Sequence, residues 1–140
     1  MEKKLLSIIC FIFFLQSCHP FKQDNEHTVK IKSGDETKEV SGTVFGKEES
    51  RFVKVNGIKI DVVPQGYLLV SENNDRPGFI GSMSSILGSN DINIGLMHLG
   101  REAIGGRAIV FTNVDATVPQ KAIDEISALE DIISVTQVSF

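Results

Sequence analysis

Tryptophan is absent from this sequence, Tyr67 is its only tyrosine, and its only two cysteines are Cys10 and Cys18. Everything after Cys18 therefore lacks a thiol, which excludes a disulfide framework and any cysteine-held metal in the body of the chain. His19, His27 and His98 are the only histidines. They show no metal-ligand spacing and read as surface or hydrogen-bonded structural side chains. Excess positive charge is also lacking: 14 basic residues stand against 18 acidic ones, for a net charge of −4. The basic residues are scattered, whereas neutralising phosphates needs clustered Lys and Arg, so a general nucleic-acid binder is excluded. There is no G-x-G-x-x-G, no phosphate-loop motif and no nucleophile–His–acid set. Gly105-Gly106-Arg107 joins two apolar runs and reads as a hairpin turn, not a phosphate loop. No cofactor or metal is expected.

With 140 residues, 41% of them hydrophobic, there is room for one ordinary domain or one small domain plus part of another. Residues 1–18, MEKKLLSIICFIFFLQSC, place Lys3 and Lys4 before an apolar run from Leu5 to Leu15. That run is short of the roughly 20 residues that span a bilayer, and it has the form of an export signal. Leu15-Gln16-Ser17-Cys18 resembles a bacterial lipobox, which makes Cys18 a lipidation candidate. A buried element of a truncated domain, or a coding artefact, is the alternative reading. Residues 19–28 are polar and aperiodic and read as a linker.

Residues 29–65 read as a mainly β segment. Val29 to Lys32 and Lys38 to Phe45 alternate as strands, and Gly42 marks a bulge or close approach. Asn56-Gly57, between two alternating runs, is a two-residue type I′ hairpin signal. Pairing outward predicts Val55 opposite Ile58, Val53 opposite Ile60 and Arg51 opposite Val62, with Lys54 facing Lys59. Two lysines face to face repel unless an anion or acid sits nearby, or unless they splay into solvent.

From residue 66 onward the pattern is a strand at Tyr67 to Val70, a helix, strands at Ile92 to Leu99 and Arg107 to Val114, a second helix opened by Val118-Pro119, and a strand at Ile132 to Phe140. This is the βαββαβ order, an α+β ferredoxin-like arrangement. The stretch Asn73 to Asn93, NNDRPGFIGSMSSILGSNDIN, organises it. Asp75-Arg76-Pro77-Gly78 turns the chain, with Pro77 tolerated at the helix start because the missing N–H costs no bond there. Phe79, Ile80, Met83, Ile86 and Leu87 share one helical face, and Gly88 offers a stop. A helix start presented by a polar loop is a natural seat for an anion.

NNDRPGFIG, followed by ILGSNDINIGLMHLGRE and then GGRAIVFTNVD and VP, resembles an ACT domain. The resemblance is to the form found at the C-terminus of bacterial D-3-phosphoglycerate dehydrogenase. Upstream, SGTVFGKEESRFVKVNGIKIDVVPQG is similar to the end of the allosteric substrate-binding domain of the long forms of that enzyme. The β subunit of the iron–sulfur serine dehydratase has a similar pair of modules. The resemblance implies L-serine or a similar amino acid as ligand, bound between ACT domains of two copies of the chain. By position it implies Asn73, Asp75 and Asn93 as polar contacts and Gly78 and Phe79 as backbone donors. A carboxylate needs N–H donors, an ammonium needs an acceptor, and an Asn amide serves both. Without the resemblance, Asp75 reads as a loop or cap residue and Asn93 as a turn residue. Arg51 and Lys59 fall near basic positions that bind anions in the preceding domain of some relatives. The resemblance implies no catalytic or NAD-binding domain in this chain, hence a regulatory module and not an enzyme, cytoplasmic by kinship. A genuine N-terminal signal would instead make it a lipid-anchored envelope protein using the fold for interaction, and an inactive gene remnant is the third reading.

Overall fold

The computed structural model describes residues 26–33, 36–45 and 49–140. The signal-like segment, Cys18 and most of the 19–28 linker lie outside these residues. The chain divides into two compact units after Pro64.

The first unit is an antiparallel meander of β1 (His27–Ser33), β2 (Glu36–Phe45), β3 (Glu49–Val55) and β4 (Ile58–Val62), paired in that order. The first strand thus begins at His27, inside the segment expected to be linker. Asn56 and Gly57 adopt φ of 48° and 83°, the positive values that a type I′ turn requires. Asn56 also ties the turn to β2: its Oδ1 accepts the Glu39 N–H at 2.9 Å, and its own N–H donates to Glu39 O at 2.8 Å. β2 and β3 slip register between Ser41 and Gly42, where the glycine marks an irregularity.

The β3–β4 register departs from the expected one. Val55 faces Ile58 and Lys54 faces Lys59, but a bulge then sets Phe52, not Arg51, opposite Val62. The slip places Phe52 and Val62 together among the buried side chains and leaves Arg51 free to reach the exposed Asp61. Burial of the larger apolar side chain outweighs the regular ladder. The facing lysines are relieved by an acid, since Lys54 Nζ donates to Glu26 Oε1 at 2.9 Å.

The second unit carries β5 (Tyr67–Asn74), α1 (Phe79–Ser89), β6 (Ile94–Arg101), β7 (Arg107–Val114), α2 (Gln120–Ser127) and β8 (Ile132–Ser139). Its sheet runs β6-β7-β5-β8, every neighbouring pair antiparallel. Each helix links two strands that follow one another in sequence but are not neighbours in the sheet, β5 to β6 and β7 to β8, giving the expected βαββαβ ferredoxin-like fold. Phe79, Met83 and Leu87 of α1 and Ala122 and Ile126 of α2 pack on Leu69, Val110 and Val135 of the sheet. The spacing of the helical residues and the alternation of the strand residues produce this core directly. Burying each larger side chain contributes about 1.5–3 kcal/mol.

The ends of α1 differ from expectation. Gly78 is the N-cap, with φ 96°, and Pro77 stands outside the helix. Gly88 is helical; the stop is made by Asn90, whose Nδ2 donates to Ile86 O at 2.9 Å, and by Asp91 at φ 56°. Asp tolerates the left-handed region through local polar contacts, so Asp91, with the Asn90 side chain capping the last turn, takes the place of the glycine as terminator.

Candidate functional site

The β5–α1 loop is held from two sides. Asn74 N–H donates to Asp131 O at 2.9 Å, and Asp75 N–H donates to Gly106 O at 2.8 Å. The first bond anchors the loop to the entry of β8, the second to the β6–β7 hairpin. Asp75 Oδ2 accepts two further bonds from that hairpin, from Arg101 Nη1 at 3.0 Å and from the Gly105 N–H at 3.2 Å. These donors, the Arg101 guanidinium first and the Gly105 amide second, hold the Asp75 carboxyl below the usual carboxylate range.

Two more arginine–acid pairs lie at this end of the sheet. Arg76 Nε sits 3.3 Å from Asp131 Oδ1, and Arg107 Nη2 bonds to Glu72 Oε2 at 2.9 Å. Register explains the convergence: Asn74 faces Arg107 across β5–β7, and Arg101 faces Ala108 across β6–β7. The hairpin between them, turned from Ala103 to Gly106 and closed by the Gly106 N–H to Ala103 O bond at 3.1 Å, returns Arg101 and Arg107 to the loop that Asp75 occupies.

Beside this charged cluster α1 begins without help. No side chain caps its N-terminus, and its first turn contains no acidic residue. The Phe79 N–H reaches Arg76 O only at 3.5 Å, a long bond at the outer limit of useful geometry. The helix start thus keeps positive potential and donor capacity. Phe79 itself anchors the helix by burying its ring in the core.

Asn73 is buried, 2% exposed. Its Nδ2 donates to Asn74 O at 2.8 Å, while its Oδ1 has no partner. An unmade bond of this kind costs about 1–3 kcal/mol, and a donor brought to that oxygen would recover it. Thr112 Oγ1 is a second buried oxygen without a partner.

Not every sequence-expected residue gathers here. Asn93 lies at the start of β6, where its Nδ2 donates to Asp115 Oδ2 at 2.8 Å. The 11 residues of α1 separate that end of the domain from Asp75, a helix length of about 16 Å. Within one chain, Asn93 and Asp75 do not meet. Arg51 is already engaged by acids of its own unit. Both Asp61 oxygens accept Arg51 Nη1, at 2.8 and 2.9 Å, and Glu49 Oε1 accepts Arg51 Nη2. With the Phe45 ring 5.4 Å from the guanidinium carbon, Arg51 is enclosed by two carboxylates and an aromatic face. Those acids satisfy the guanidinium. Lys59 stands exposed on the neighbouring strand. Arg101 and the Gly105 amide were not expected; the signal for them is the pairing of β6 with β7, visible only once the strand order is known.

A four-stranded antiparallel sheet with two helices on one face, and a polar loop feeding an uncapped helix, defines a ferredoxin-like α+β domain. Residues 67–131 match the ACT domain family, and the second unit is an ACT domain. Over most of its length the chain is similar to D-3-phosphoglycerate dehydrogenases, in the region that bears their ACT domain. With that of Bacillus subtilis it shares 38% identity over 112 residues, which is 80% of this chain and 21% of that protein. With that of Methanocaldococcus jannaschii it shares 30% identity over 115 residues, 81% of this chain and 22% of that protein. The probable L-serine dehydratase beta chain of B. subtilis is 29% identical over 115 residues, 81% of this chain and 52% of that protein. The chain spans about a fifth of the length of the dehydrogenases it matches.

Proposed function

We propose that this chain is an effector-binding regulatory module whose β5–α1 loop takes a small amino acid, L-serine first among them. One observation carries the reading: Asp75 and the uncapped start of α1 stand within the same five residues, Asp75 to Phe79. An amino acid carries an ammonium for the first and a carboxylate for the second. The unpartnered Asn73 Oδ1 is an acceptor that such a ligand's N–H or O–H would satisfy. Kinship with an L-serine dehydratase chain and with phosphoglycerate dehydrogenases favours serine over other amino acids.

The distance of Asn93 from Asp75 supports a site shared between two copies. β6 is an edge strand, and it exposes Leu96 and Leu99. Two β6 edges pairing antiparallel about a two-fold axis would bring Asn93 at the start of one strand to Arg101 at the end of the other. Arg101 is bonded to Asp75, so Asn93 would complete the partner's site. A ligand bridging two domains favours the paired orientation, and in a larger enzyme that bias would be transmitted as regulation. Calorimetric titration of the full chain with L-serine tests the reading. Saturable heat is expected; none at millimolar serine would sink it.

A further inference from the structure

Asp75 does not stand open for a ligand's ammonium. Its Oδ2 is already engaged by Arg101 and the Gly105 amide, which leaves Oδ1 as the oxygen that an ammonium can reach without displacing either donor. Arg101 uses one Nη1 proton on Asp75, and its side chain remains 49% exposed, against 20% for Asp75. A guanidinium has five N–H donors in a fixed fork. The pair is therefore a half-open dipole with a free anionic corner and free cationic donors side by side. Its charges cancel each other, so neither a simple anion nor a simple cation gains from it: each meets one attraction and one repulsion. A ligand carrying both charges a few ångströms apart meets two attractions.

We propose that Arg101 is a specificity-determining residue of the β5–α1 site, joining the start of α1 in holding the ligand's carboxylate while Asp75 holds its ammonium, so that the pair selects zwitterions. The neighbouring arginines are engaged elsewhere, Arg76 by Asp131 and Arg107 by Glu72, which leaves Arg101 as the guanidinium bonded directly to Asp75. The Gly105 amide steadies Asp75 when Arg101 turns its free donors to the ligand. Arg101 also ends β6, the edge strand through which a second copy would pair, so carboxylate capture at this residue falls at the seam between copies. The inference rests on the amino-acid reading above.

Calorimetry of the full chain with three probes tests it: L-serine, glycolate, which lacks the ammonium, and ethanolamine, which lacks the carboxylate. For the native chain, serine should bind and each half-ligand should bind much more weakly. Arg101→Gln should weaken serine by roughly ten- to a hundredfold, the effect of one charge-assisted bond. Ethanolamine should be unchanged or tighter, because Asp75 is released. Arg101→Lys keeps the charge without the fork and should recover part of the loss. It also provides a readout if the glutamine variant fails to fold. Serine binding undiminished in Arg101→Gln, or serine and ethanolamine falling together in both variants, would overturn the role of Arg101 while leaving the amino-acid site intact. No serine binding to the native chain would overturn both readings.

Discussion

Asp75 makes three hairpin contacts, its backbone amide to Gly106 and its carboxylate Oδ2 to Arg101 and the Gly105 amide. Asp75→Ala removes both side-chain bonds and the acceptor for an ammonium, and it should abolish L-serine heat in a calorimeter. The pH dependence has a defined sign. Because Arg101 and the Gly105 amide depress the folded-state value below the ordinary 3.8, the carboxylate contributes stability at and above that ordinary value. That contribution is lost as pH falls below 3.8 through the depressed native value. Urea denaturation from pH 5 downward should show a steeper loss in the native chain than in Asp75→Asn, which cannot titrate. Equal slopes would mean that the Arg101 contact is not formed in solution. Arg51 shows a different arrangement at this scale, a basic residue paired with its own strand neighbours Glu49 and Asp61.

At the scale of elements, α1 sets the geometry of the loop it follows. Gly78 holds φ at 96°, a backbone conformation that costs an L residue about 1–2 kcal/mol. A Cβ added there would meet no atom within 4 Å, so Gly78→Ala isolates backbone strain from packing. It should lower the unfolding free energy by about 1–2 kcal/mol and weaken serine binding, because relaxing φ swings the helix start away from Asp75. Thermal unfolding alongside calorimetry reads both effects. Met83, wholly buried beneath α1, should cost about 2–5 kcal/mol when replaced by alanine. The apolar face of this helix was legible from residue spacing, since its period is a local property of the chain. Its terminator was not, because Gly88, Asn90 and Asp91 all qualify as stops by type. Which one takes the positive φ depends on where β6 must start. The β3–β4 bulge escaped for a similar reason: turn chemistry defines the first pairs beside Asn56-Gly57, but burial of Phe52 with Val62 decides the pairs farther out.

For the whole molecule, the strand order β6-β7-β5-β8 puts Asp75 and Asn93 at opposite ends of the ACT domain and, among the described residues, leaves one side of β6 without a partner strand. If two copies complete each other's sites, blocking that edge should cost both association and binding. Leu96→Lys with Leu99→Lys changes two exposed side chains, so folding should persist while sedimentation equilibrium shifts from dimer to monomer and serine affinity falls. A double variant that dimerises as the native chain does would place the interface elsewhere. The sequence by itself determined the element order, the helical and strand faces that form the core, the Asn56-Gly57 turn and the loop that presents Asp75. Those features depend on periodicity and on the backbone preferences of single residues. Only the tertiary structure decided which charges meet. Arg101 lies 26 residues from Asp75 in sequence, and their contact exists because β7 inserts beside β5 and carries β6 with it. The same insertion keeps Asn93 away from Asp75 within one chain. A local pattern carries no information about strand order, and strand order set the chemistry of this site.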